Sequence, residues 1–88
     1  MKTKAAYSLR KVLDLYLVMG KGKEAYTPRS IMSMNESGAF LWHMLEQGAE
    51  PAELAGSLAQ EYGISIETAR QDVEKFLAQL REKALVTE

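Results

Sequence analysis

Eighty-eight residues, 47% hydrophobic and 26% charged, are enough for one small globular core and too apolar for a disordered tail. A net charge of −1 lacks the basic surplus that phosphate neutralisation asks of a nucleic-acid binder. The chain contains no cysteine, which excludes disulfides, thiolate zinc and iron–sulfur ligation, and no apolar run nears the ~18 residues of a membrane span.

The first third carries strand patterning. Tyr7, Leu9 and Lys11 alternate with Ser8 and Arg10, which predicts a short strand. Leu13, Leu15, Leu17 and Met19 then alternate with Asp14, Tyr16, Val18 and Gly20, and the two-residue period places the Leu set on one face. Gly20-Lys21-Gly22-Lys23 predicts a solvated turn; it lacks the spacing and the following Ser or Thr of a phosphate-binding loop. Thr27-Pro28-Arg29 punctuates the chain before the apolar run Ile31–Met34, which reads as a third strand. Pro28 has no N–H for a ladder and belongs at the start of that strand or on an edge.

Three helical segments follow, each with a start and a stop. Asn35 is a good N-cap for the first, and Glu36 suits the positive end of the helix dipole. Ala39, Phe40, Leu41, Trp42, Met44 and Leu45 make it apolar nearly all round, so it is expected to be the most buried helix, with Trp42 in the core and His43 a partly buried structural residue. Gly48 is placed to end it in the left-handed conformation. The second helix starts at Glu50-Pro51, proline being welcome in the first turn. Its apolar stripe is Leu54, Ala55, Leu58, Ala59 and Tyr62, and Gly63 closes it. Ser65 caps the third, whose Ile66, Ala69, Val73, Phe76, Leu77, Leu80 and Ala84 keep the 3–4 spacing throughout. Three strands followed by three helices predict one α+β domain over residues 1–88, the helices packed on one face of an antiparallel sheet.

Little here can carry catalysis. Nucleophilic chemistry needs a Ser, Thr or Cys beside a positioned base, and the single histidine, His43, stands between Trp42 and Met44. No HxxxH or ExxH spacing offers a metal site. The expectation is a protein without enzymatic activity or cofactor. The charges of the third helix (Glu67, Arg70, Asp72, Glu74, Lys75, Arg81 and Glu82) alternate in sign, as a wet face does. One feature stands out from this background. A three-stranded sheet has two edges, and the strand from Ser30 to Met34 carries no interior charge, proline or bulge signal to discourage pairing with another chain. A peptide adding there would gain main-chain hydrogen bonds, with a neighbouring groove reading its side chains.

Met34-Asn35-Glu36-Ser37-Gly38-Ala39-Phe40-Leu41-Trp42 is the core of a wider pattern. It continues through Leu45, Gly48 and Glu53-Leu54 to Leu58-Ala59-x-Glu61-Tyr62, then Thr68-Ala69-Arg70-x-Asp72-Val73-x-x-Phe76-Leu77-x-x-Leu80 and Leu85-Val86. In order and spacing this resembles the PqqD family, small peptide-chaperone domains also called RiPP recognition elements. The resemblance implies a winged-helix-like domain that binds the leader of a ribosomally made precursor peptide. The leader would add as a strand to the third strand, in a groove against the third helix, and be delivered to a modifying enzyme, often a radical-SAM protein. Carried over by position, the strand partners are Ser30, Ile31, Met32, Ser33 and Met34, and the helix side is drawn from Arg70, Val73, Glu74, Leu77 and Arg81. At 100° per residue Arg70, Glu74 and Arg81 share one flank of the helix while Asp72 and Gln79 lie on the other, and spacing alone does not say which flank faces the strand.

The chain departs from the family pattern in places. Met34 replaces a usual Leu, a volume-conserving change. Ala84 replaces a glycine, so the third helix is expected to run on or to lack a left-handed stop. Tyr26-Thr27-Pro28-Arg29 replaces an Asn-Gly-type turn. The sequence sits nearer the stand-alone branch than the members acting in pyrroloquinoline quinone synthesis. The expected function is a non-catalytic, cytoplasmic leader-binding module with no nucleic-acid or membrane partner. The rivals are a winged-helix nucleic-acid binder, which Glu67, Asp72, Glu74 and Glu82 oppose, and a small scaffold subunit whose edge pairs with its own copy as a homodimer.

Overall fold

The computed structural model of the chain describes residues 1–22 and 31–88, with Ile31 described by its backbone alone. The expectations placed on Lys23, on the Tyr26–Arg29 stretch including Thr27 and Pro28, and on Ser30 lie outside the described residues. A two-residue strand, Lys2–Thr3 (β1), precedes the hairpin Tyr7–Val12 (β2) and Leu15–Gly20 (β3); Ile31–Met34 (β4) follows. Strands β2, β3 and β4 form an antiparallel sheet in that order. Then come the helices Glu36–Glu46 (α1), Pro51–Tyr62 (α2) and Ile66–Glu82 (α3), and a last two-residue strand, Val86–Thr87 (β5).

The hairpin corrects one expectation. Leu13 was expected in the strand, yet Val12 pairs with Leu15, so Leu13 and Asp14 form the turn between them. A two-residue hairpin turn needs positive φ, and Leu13 takes φ 57° although it is not glycine. The Leu alternation continues through the turn, so its period does not reveal the break. Register then decides the faces. Leu9 pairs with Val18 and Val18 with Met32; Lys11 pairs with Tyr16 and Tyr16 with Met34. Tyr7, Val18 and Met32 on this face are buried in the core shared with the helices. Leu15, Leu17 and Met19 do share a face, but it is the other one, and Leu15 stays 56% exposed.

The helix boundaries follow the local chemistry. Asn35 Oδ1 accepts from the Gly38 N–H at 2.9 Å, and the Ser65 hydroxyl accepts from the Thr68 N–H at 3.1 Å. Glu50 and Glu53 form a reciprocal capping box around Pro51. Gly63, at φ 63°, ends α2. Helix α3 does not run on: Lys83 caps it, and Ala84 supplies the left-handed stop at φ 55° without being glycine. The Ala84 N–H donates to the Arg81 carbonyl and the Leu85 N–H to the Leu80 carbonyl, at 3.0 and 2.9 Å. This paired closure is sealed by Leu80 and Leu85, both without solvent exposure. Trp42, Leu45, Leu54, Leu58 and Leu77 complete the core between the sheet and the three helices. Strands β1 and β5 pair in a small sheet of their own, which sequence patterning did not anticipate. Two residues are too few to show a period.

Candidate peptide-binding edge

Among the described residues β4 pairs with β3 alone and forms one border of the sheet. The direction of its free backbone groups follows from parity. In an antiparallel ladder a residue turns both its N–H and its C=O to the same side, and successive residues alternate. The Lys21 N–H donates to the Ala6 carbonyl at 2.8 Å, and counting inward by twos gives the β2-facing residues of β3 as Met19, Leu17 and Leu15. Tyr16 and Val18 therefore bond to β4, at their partners Met34 and Met32. Ser33 and Ile31 are left with their backbone groups directed at the open border. A strand laid along that border would place the residues opposite Met32 and Met34 on the helix side of the sheet, two positions apart.

Helix α3 stands across from this border. A hollow of about 310 Å³ lies between them, its apolar lining drawn from Met34, Leu41, Leu58 and Phe76 and its polar lining including Asp72, Lys75 and Gln79. A second hollow, about 380 Å³, is lined by Met32, Ser33, Gln79, Glu82 and Lys83. Ser33 and Gln79 border both, so the two run together as one groove along β4. The α3 wall carries Asp72 and Glu82 against Lys75 and Lys83, a balanced set of charges. At its Met34 end the groove is shaped by Gly38. A Cβ added there would stand 3.0 Å from Met34 Cβ, so glycine lets the first turn of α1 close on the strand.

The expected site residues separate into three sets. Ile31, Met32, Ser33 and Met34 form the bordering strand. Val73 and Leu77 are core residues, each 2% exposed. Arg70 and Glu74 are exposed and line neither hollow of the groove, while Arg81 Nε donates to Glu88 Oε1 at 2.9 Å, beside β5. The groove takes its helix wall from Asp72, Lys75, Phe76, Gln79, Glu82 and Lys83, on the flank roughly 180° around α3 from Arg70, Glu74 and Arg81. Both flanks are equally polar in sequence, and only the position of β4 distinguishes them.

His43 departs from its expected burial. Its side chain is 64% exposed, with Nδ1 2.8 Å from Glu46 Oε1. It faces outward because Leu41, Trp42 and Leu45 take the buried side of α1. Among the described residues no cluster of His, Cys, Asp or Glu is suited to hold a metal ion, and no helix is long and apolar enough to cross a membrane.

An antiparallel three-stranded sheet with β4 at one border among the described residues, backed by three helices, defines a winged-helix-like α+β domain. The chain belongs to the family of coenzyme PQQ synthesis protein D (PqqD), whose family model matches residues 25–86. No curated protein sequence matches it. Two solved structures share the fold. One is described as TbiB1 in complex with the TbiA(beta) leader peptide: TM-score 0.76, 24% identity, 97% of this chain and 93% of that one covered. The other is a lasso peptide synthetase B1 complexed with the leader peptide, at TM-score 0.77 and 17% identity, with 99% and 96% covered.

Proposed function

We propose that this protein is a non-catalytic module that binds the leader of a ribosomally synthesised precursor peptide by strand addition at β4 and presents it to a modifying enzyme, such as a radical-SAM protein, in the cytoplasm. The observation that carries the proposal is the pair of outward-directed backbone positions, Ile31 and Ser33, beside an apolar groove. Membership of the PqqD family supports it, as does the leader peptide named in both structural neighbours. Every pairing in the sheet is antiparallel, and antiparallel pairing is slightly the more stable per residue, so the leader is taken to run from the Met34 end toward Ile31. Main-chain hydrogen bonds contribute about 1 kcal/mol each and tolerate many sequences. Selectivity comes from the two leader side chains that enter the groove over Met34 and Phe76 and between Met32 and Gln79. Val73 and Leu77 hold the helix wall in place from behind.

Calorimetric titration with the peptide products of short open reading frames flanking this gene tests the proposal. Binding at micromolar affinity or tighter is expected. Ser33→Pro deletes an outward N–H without touching the β3 ladder, so it abolishes binding while leaving the thermal midpoint nearly unchanged. Retained binding in that variant rejects strand addition at β4.

A further inference from the structure

A further hollow stands against β4, beyond the Met34 end of the groove. Register between β3 and β4 stops at Tyr16 and Met34, where the chain turns through Asn35 into α1. Leu15 thus has a neighbour in β2 and none in β4, and the corner is open. A hollow of about 610 Å³ occupies it, lined by Lys11, Leu15, Tyr16, Met34, Asn35 and Glu36 among others. That volume lies within the range of small-ligand sites. It shares Ser33, Met34 and Asn35 with the groove, so one extended peptide can contact both.

We infer that this corner is a second contact for the same peptide, taking an aromatic or large aliphatic side chain from the residues just N-terminal to the added strand. The inference rests on the strand-addition reading, because an antiparallel strand on β4 begins at Met34 and carries its N-terminal flank to the corner. The lining determines the class of side chain. Leu15 is 56% exposed and Tyr16 half-buried, so an apolar group covering them removes nonpolar surface from water. The Lys11 ammonium lies 5.5 Å from the Tyr16 ring centroid and braces that wall. Asp14 and Glu36 outnumber Lys11, so the corner does not attract an acidic side chain or a phosphate.

Selection of binders from a display library of random peptides, followed by trimming, provides the test. Removing the residues N-terminal to the paired segment is expected to weaken binding to the wild type about tenfold, the effect of uncovering one large apolar side chain. The same trimming should change binding to Leu15→Ser by less than about twofold, because the two losses share one contact. Lys11→Ala gives a second cycle with the same non-additivity. Leu15 and Lys11 are exposed, so circular dichroism should show both variants folded. If trimming is harmless, or costs both variants as much as the wild type, the corner contact is overturned while loss of binding in Ser33→Pro still upholds strand addition. Unchanged binding by Ser33→Pro, or no enriched peptide at all, overturns both.

Discussion

Ala84 is the residue at which local preference and the fold disagree most openly. It holds φ 55° at the end of α3, where a side chain costs about 1–2 kcal/mol and glycine costs nothing. Ala84→Gly removes that strain and gives back about 0.4–1 kcal/mol through the greater freedom of the unfolded chain. The balance favours the variant by about 0.5–1 kcal/mol, read as a higher urea midpoint at unchanged slope. The opposite sign holds at Gly38. Alanine is the better helix former by about 1 kcal/mol, but its Cβ would meet Met34 Cβ at 3.0 Å and Asn35 Oδ1 at 3.3 Å. The first of those atoms is fixed to the backbone, and overpacking of that kind costs about 1–3 kcal/mol. Gly38→Ala is therefore expected to lower stability by about 1 kcal/mol in the same urea experiment. The caps at Asn35 and Ser65 were legible in the sequence because each involves residues no more than three apart. The left-handed stop at Ala84 was not, because it depends on Leu80 and Leu85 closing over it.

At the level of elements, periodicity marks a helix or strand but is silent on what faces it. The stripes of α2 and α3 named their buried residues, Leu54 and Leu58 on one and Val73, Phe76, Leu77 and Leu80 on the other, since each stripe has a single apolar side. Strand β3 is apolar on both sides. Val18, the residue that enters the core, was hidden among Leu15, Leu17 and Met19, which face away from it. The site shows the same limit. That β4 is open to pairing was read from a three-stranded sheet having two edges and from the absence of charge or proline to guard this one, whereas the choice of the Asp72 and Gln79 flank of α3 depends on where β4 lies. A groove is a relation between two elements, and one-dimensional spacing encodes each element separately.

For the molecule as a whole, the groove and the joined chain ends are built on different strands. The groove runs along β4, and its walls are β4, the start of α1 and one flank of α3. The chain's two ends meet elsewhere. Thr3 pairs with Val86, the Lys4 N–H donates to the Leu85 carbonyl at 3.0 Å, and the Ala49 N–H donates to the Met1 carbonyl at 2.9 Å. These contacts tie β1 and β5 to the α1–α2 connection and to the end of α3. A small domain has few kcal/mol to lose, so this seam matters to folding although it touches no proposed ligand. Val86 is 9% exposed, and Val86→Ala removes two methyl groups from the seam, a loss of about 1–2 kcal/mol. Its thermal midpoint should fall by several degrees, while its affinity for the leader, measured well below that midpoint, should match the wild type. Ser33→Pro should do the reverse, keeping the midpoint and losing the affinity. A fall in affinity for Val86→Ala at a temperature where circular dichroism shows it fully folded would mean that the seam and the groove are coupled, contrary to the separation the two sheets describe.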